Sequence, residues 1–123
     1  WLEEEFKGNF LTSDKYRFER AYRLICKEHR LGVKGLSLSW IYEAVKRTNE
    51  FKNKKWGSDI EKPCLLLNAT QDRLVSPDGN VRILRRFKNN QIENIESKHE
   101  IFMETDLIRS QAWEKVDKFL MNI

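Results

Sequence analysis

An aspartate and a histidine stand in sequence contexts that suit acid–base chemistry. Asp72 follows the apolar run Cys-Leu-Leu-Leu at residues 64–67, and His99 lies further along, in the segment Lys-His-Glu-Ile-Phe-Met-Glu. A carboxylate that bonds to one ring nitrogen of a histidine fixes its tautomer and stabilises the imidazolium form. The other ring nitrogen can then take a proton from a serine hydroxyl. Asp72 and His99 are therefore the candidate acid and base of a catalytic triad.

The residues around this pair predict two parallel strands joined by a short helix. Residues 64–67 are typical of a strand buried on both faces, and residues 91–95 form a weaker second strand. Ser-Pro-Asp-Gly at 76–79 is predicted to be a turn leading into the helix between them. Functional groups in such sheets lie just beyond the carboxyl ends of the strands, where Asp72 and His99 both fall.

Helical spacing predicts most of residues 12–49 as two helices and adds a third at the carboxyl terminus. Thr-Ser-Asp at 12–14 caps the first helix and Gly32 ends it, while Ser37 or Ser39 caps the second. The third helix begins at Asp106, and its broad apolar stripe requires a partner surface. The stripe consists of Ile108, Ala112, Trp113, Val116, Phe119, Leu120 and Ile123.

No nucleophile accompanies the pair. The closest match to Gly-x-Ser-x-Gly is Gly-Leu-Ser-Leu-Ser at 35–39, where Ser39 replaces the second glycine and no strand precedes Gly35. Capping explains Ser37 better than catalysis does. The aromatic and apolar residues that follow, Trp40, Ile41 and Tyr42, are expected in a core, with an acyl pocket as the alternative role.

Other titratable residues compete with the pair. Asp78 is expected to be exposed in a turn, and the helix dipole explains His29 without function. Glu100 and Glu104 are expected to orient the histidine loop rather than to take part in catalysis. Either Glu104 or Asp106 is expected to form an ion pair with Arg109.

Composition indicates a folded protein, and the triad chemistry considered above needs no metal or organic cofactor. The 123 residues are 34% charged and 40% hydrophobic, and no apolar run near residue 64 approaches the length of a membrane span. Cys26 and Cys64 lack the spacing of a zinc site or a disulfide framework, so we expect buried free thiols in a reducing compartment and a cytoplasmic location. The net charge of +4 is concentrated at 52–55 and 82–88, which favours peripheral contact with an anionic inner membrane face over nucleic acid.

From Asn9 onwards the chain resembles the carboxy-terminal part of an α/β-hydrolase, in the bacterial lysophospholipase and monoacylglycerol lipase branch. The resemblance rests on residues 11–18 with 35–40, on 63–75 around Asp72, and on 99–104 around His99 with Arg109. It implies that Asp72 is the triad acid and His99 the triad base. It also implies a helical cap segment at 1–56 and the end of the hydrolase core at 57–123.

The same resemblance implies where the missing parts lie and what the substrate is. The nucleophile elbow and oxyanion hole would precede Trp1, which is not an initiator methionine, so we expect that an upstream portion is missing. The substrate would be an ester of a lysophospholipid or a monoacylglycerol. Residues 36–39 depart from the glycine and proline-threonine pattern usual in this cap, which leaves substrate selection open.

Three alternatives remain at this stage. The first is another activity on the same scaffold, such as thioester or haloalkane hydrolysis. The second is a non-catalytic module whose basic clusters at 52–55 and 82–88 bind an anionic membrane or protein partner. The third is a truncated or degenerate gene product, whose uncovered apolar stripe would cause self-association.

Overall fold

The chain has a mixed α/β architecture. The computed structural model describes residues 2–32 and 35–123, and Trp1, Val33 and Lys34 lie outside the described residues. In chain order the elements are α1 (Leu2–Gly8), α2 (Lys15–Lys27), α3 (Leu38–Glu50), β1 (Cys64–Ala69), α4 (Pro77–Leu84), β2 (Asn90–Ile95) and α5 (Asp106–Leu120), with short 3-10 helices at His29–Leu31 and Ile101–Met103.

Side-chain caps start α2 and α3, as the sequence predicts. Asp14 accepts the Arg17 amide at 2.8 Å at the start of α2, and Ser37 accepts the Trp40 amide at 3.1 Å at the start of α3. The prediction that Gly32 ends the first helix is wrong. The backbone of Glu28 is already extended, and its carboxylate accepts the Arg30 amide and starts the 3-10 helix that Gly32 follows.

Helix α1 has no counterpart in the sequence prediction. It is only seven residues long, which is too short for helical periodicity to stand out. A ring contact fixes it on α2, since the centroids of Phe6 and Phe18 lie 5.5 Å apart. Tertiary packing rather than local propensity therefore accounts for α1.

The two strands pair in parallel, in register from Cys64 opposite Asn90 to Ala69 opposite Ile95. β1 extends two residues beyond the predicted Leu67, although Asn68 is polar and buried. The side-chain NH₂ group of Asn68 donates to Oδ1 of Asn94 on β2 at 3.0 Å, which partly offsets the cost of burial. Both strands therefore end at the same edge of the sheet.

The segment Ser-Pro-Asp-Gly at 76–79 is helical, which corrects the prediction of a turn before the helix. Ser76 is the N-cap of α4, and its Oγ accepts the Gly79 amide at 3.0 Å. Proline suits the first helical position because its missing N–H has no partner there in any case. The same residue types thus begin the helix rather than precede it.

Helices α4 and α5 pack on the sheet, where Ala69, Ile95 and Ala112 are buried. Lys115 of α5 reaches Glu93 of β2 at 2.5 Å and ties the helix to the strand. Much of the predicted stripe remains exposed, including Trp113 and Leu120 of α5. Ile123, predicted as part of the stripe, lies beyond the end of α5 and is exposed as well. Trp40, Ile41 and Tyr42 of α3 are exposed too, so the expectation that they are core residues is wrong within the described part of the chain.

A tight turn at Gly57 precedes the sheet. Gly57 has φ +85°, and a Cβ there would lie 2.5 Å from a ring carbon of Phe87. The ring of Trp56 packs edge-on against Phe51 at 4.5 Å. Arg86 then bonds to the carbonyl of Phe51 at 2.7 Å, which joins this turn to the end of α4. The predicted division between cap and core at Gly57 falls at a packed turn.

None of the helices described here is both long enough and apolar enough to cross a bilayer.

Candidate active site

The loops that follow β1 and β2 meet at the carboxyl edge of the sheet. The backbone ladder continues past the strand ends, because the Thr70 amide donates to the Ile95 carbonyl at 2.9 Å and the Gln71 amide to the Ser97 carbonyl at 3.0 Å. Asp72 directly follows Gln71 in the loop after β1, and His99 lies two residues after Ser97 in the loop after β2. Parallel pairing therefore brings the two predicted site residues to one place.

Asp72 and His99 are directly hydrogen-bonded. Nδ1 of His99 lies 2.8 Å from Oδ2 of Asp72, whose side chain is 5% exposed, whereas the imidazole is 35% exposed. An ionised carboxylate only accepts hydrogen bonds, so the shared proton belongs to Nδ1. In the neutral ring Nε2 is then the free base. Of the side chains described, only Asp72 forms a recorded hydrogen bond to this ring.

The loop after β1 holds Asp72 in the ionised form. Burial opposes ionisation, but the hydrogen bond from His99 and the amides of Leu74 and Val75 outweigh it, so the pKa of Asp72 lies below its ordinary value. The two amides both donate to Oδ1, at 2.8 and 3.1 Å. This leaves Oδ2 for the imidazole. The carboxylate is thus fixed in orientation before any substrate arrives.

A segment from the amino-terminal half forms the other side of the histidine loop. The His99 amide donates to the Phe10 carbonyl at 3.4 Å, and the Glu100 amide donates to the Leu11 carbonyl at 2.8 Å. Oγ1 of Thr12 donates to the Met103 carbonyl at 2.7 Å. Residues 9–14 therefore lie alongside the 98–104 loop.

Glu104 is the buried anchor of this contact. Its side chain is fully buried, and its two oxygens accept the amides of Ser13 and Lys98, each at 3.0 Å. The expectation that it helps to orient the histidine loop agrees with these bonds. The alternative pairing of Glu104 with Arg109 is wrong, since Asp106 contacts Arg109 at 3.6 Å and also pairs with Arg17.

The remaining candidates lie elsewhere. Asp78 is exposed in the first turn of α4, and His29 is exposed in the first 3-10 helix. The recorded side-chain bonds of Ser37 are to the Trp40 amide and the Ser39 hydroxyl, both in α3. Glu100 precedes the second 3-10 helix without a side-chain capping bond. Among the side chains that the structure describes, those of residues 5–32 and 35–123, no three His, Cys, Asp or Glu converge on a metal position. Cys26 is exposed and Cys64 is half-buried, so the expectation that both thiols are buried is wrong.

Sequence reasoning missed the contribution of residues 12–17 to this site. The sequence predicts Asp14 as part of a helix cap and gives Arg17 no role, yet Arg17 donates to the Glu104 carbonyl at 3.0 Å. The available signal was the Thr-Ser-Asp-x-x-Arg pattern at 12–17 together with a glutamate five positions after His99. Neither pattern alone indicates that the two segments touch.

Comparison with known proteins places the fold. No family model and no curated protein matches the chain in sequence. Among solved structures, it is similar to a soluble variant of monoglyceride lipase from Saccharomyces cerevisiae, determined in complex with a substrate analog. The TM-score is 0.75 at 18% identity, over 95% of this chain and 41% of the yeast chain. The chain has the fold of part of an α/β-hydrolase.

Proposed function

We propose that this chain is the carboxy-terminal portion of a serine hydrolase that cleaves carboxylic esters of lysophospholipids or monoacylglycerols. The observation that carries the proposal is the 2.8 Å bond between Asp72 and His99 at the carboxyl edge of a parallel sheet. The fold likeness to a monoglyceride lipase supports the choice of lipid esters. The segments quoted from the sequence support the lysophospholipase and monoacylglycerol lipase branch.

In this mechanism His99 takes up a proton and releases it twice, once in acylation and once in deacylation. Nε2 first takes the proton of a serine hydroxyl as that oxygen attacks the acyl carbonyl. The imidazolium, stabilised by Asp72, then protonates the leaving glycerol oxygen. In deacylation Nε2 takes a proton from water as the water oxygen attacks the acyl carbonyl, and the imidazolium returns that proton to the serine oxygen as the fatty acid leaves. No step requires a metal or an organic cofactor.

The proposal places the serine and the oxyanion hole upstream of Trp1. No serine of the described residues forms a recorded hydrogen bond to His99, and the chain spans 41% of the length of the yeast lipase that it resembles. Residues 1–56 would then form the cap segment and residues 57–123 the end of the core. The exposed apolar residues of α3 and α5 would be covered by the rest of the fold.

The test is a pair of histidine substitutions in the protein that carries the sequence upstream of Trp1. We expect His99→Ala to lower kcat/KM for a monoacylglycerol or lysophospholipid by about 10⁴-fold or more. His29→Ala is the matched control, because the other histidine is exposed and lies in a 3-10 helix, and it should change activity by less than about threefold. Residual activity of His99→Ala within tenfold of the parent contradicts the proposal. An acyl-thioester substrate assayed in parallel decides between ester and thioester hydrolysis.

The alternative of a basic binding module receives less support. Arg86 donates to the carbonyls of Phe51 and Asn53, and Lys88 pairs with Glu61, so two cations of the 82–88 cluster are engaged within the fold. Sedimentation with anionic vesicles at low and high salt tests this alternative. Salt-sensitive binding without any esterase activity in the complete protein would favour it over hydrolysis.

A further inference from the structure

The 98–104 loop is held on the side that faces residues 9–14. A backbone bond runs from His99 to Phe10 and another from Glu100 to Leu11. Asn9 shapes its own segment, because its Oδ1 accepts the amides of both Leu11 and Thr12 at 3.0 Å. The side chain of Asn9 therefore holds residues 9–12 in a defined turn.

Glu104 joins the two segments at their buried centre. One of its carboxylate oxygens accepts the Ser13 amide and the other accepts the amide of Lys98, the residue immediately before His99. Thr12, which is 1% exposed, adds a bond from its hydroxyl to the Met103 carbonyl and accepts the Asp14 amide at 2.9 Å. Two buried side chains thus fix the backbone on either side of the imidazole.

We propose that Glu104, with Thr12, is a positioning residue for His99. Asp72 makes a single hydrogen bond to the ring, and that bond requires the backbone of His99 to be held where Nδ1 meets Oδ2. Glu104 holds it by tying the Lys98 amide to the segment that leads into α2. The catalytic consequence rests on the proposed function, whereas the effect on ring geometry does not.

Glu104→Gln is the first test, because glutamine preserves size while replacing one acceptor with a donor that faces an amide N–H. We expect the Nδ1–H tautomer of His99 to lose population, as measured from ring nitrogen NMR shifts. In the complete protein we expect kcat to fall by about 10- to 100-fold with little change in KM, because substrate contacts are untouched.

Glu93→Gln is the matched control. Glu93 lies on β2, the strand that leads to His99, and its partners are Lys115 and Gln91 rather than the histidine loop. We expect this variant to keep the tautomer population and kcat of the parent. Equal effects of the two substitutions would mean that Glu104 acts through general stability alone and would overturn the proposal.

Thr12 supplies a second route to the same answer if Glu104→Gln fails to fold. Thr12→Val removes the hydroxyl at nearly constant shape, and Thr12→Ser retains it. We expect Thr12→Val to lower both the population of the Nδ1–H tautomer of His99 and kcat. We expect Thr12→Ser to keep both at the parental values. A folded valine variant with parental tautomer and kcat contradicts the proposal. If the complete protein has no esterase activity, the proposed function fails, while the tautomer comparison still decides the role of Glu104.

Discussion

Replacing Asp72 with asparagine should reverse the tautomer of His99. Oδ1 of Asp72 accepts the amides of Leu74 and Val75, so an asparagine must keep its carbonyl on that side to avoid facing two donors. Its NH₂ group then points at Nδ1 of His99, which lies 2.8 Å from the present Oδ2. Nδ1 becomes an acceptor, the ring proton moves to Nε2, and Nε2 can no longer take a proton from serine.

The loss of activity should far exceed the loss of stability. A wrong tautomer in a comparable triad costs about 10⁴-fold in kcat, which corresponds to about 5 kcal/mol of transition-state stabilisation. In Asp72→Asn the amides of Leu74 and Val75 keep their acceptor, and only the charge-assisted bond to His99 is lost. We therefore expect a decrease of about 1–3 kcal/mol in the free energy of unfolding.

The assay combines ester hydrolysis by the complete protein, ring nitrogen NMR of His99 and urea unfolding. Asp78→Asn is the matched control, since that aspartate is exposed in α4, and it should leave kcat/KM within about threefold of the parent. The reasoning is refuted if Asp72→Asn keeps the Nδ1–H tautomer, or if it loses less than about tenfold in kcat/KM while remaining folded.

Three further predictions concern stability, each measured by urea unfolding. Gly57→Ala should cost about 2 kcal/mol or more, because φ is +85° and the new Cβ would meet Phe87, whereas Gly8→Ala has open space and should change stability by less than about 1 kcal/mol. Ser97→Ala should leave stability unchanged or raise it by up to about 1 kcal/mol, since its Oγ is buried and none of the described residues bonds to it; a clear loss would reveal an unrecognised bond. The pKa of Asp72 is lowered, so its ionisation contributes stability above the ordinary carboxyl value of 3.8, and this contribution is lost as pH falls through the folded pKa. The stability gap between the parent and Asp72→Asn should therefore shrink as pH falls below 3.8 and through the folded pKa, and a gap that persists below the folded pKa contradicts this assignment.

The parts of the fold that could be predicted from sequence are those with a local signal. Residues close together in the sequence determine the caps at Asp14 and Ser37, the apolar run of β1 and the start of α5 at Asp106. The meeting of Asp72 and His99 followed from one rule, that parallel strands end at the same edge.

The contacts that escaped prediction depend on residues far apart in the chain. The bonds from Ser13 to Glu104 and from Thr12 to Met103 each span 91 positions, and no periodicity within either segment encodes them. The helical start at Pro77 was missed for another reason, because Ser-Pro-Asp-Gly suits a turn and a first helical turn equally well. The backbone bond from the Asn80 amide to the Ser76 carbonyl, at 3.0 Å, decides for the helix.

The contact between residues 9–14 and the 98–104 loop constrains how a chimera of this protein can be built. A chimera that takes its helical region from a protein of the same fold exchanges the residues on either side of this turn. The donor boundary should fall after Asp14, so that Asn9, Thr12 and Ser13 keep their contacts with one another and with the 98–104 loop. A graft joined before Asn9 would replace the residues whose carbonyls bond to the backbone of His99 and Glu100.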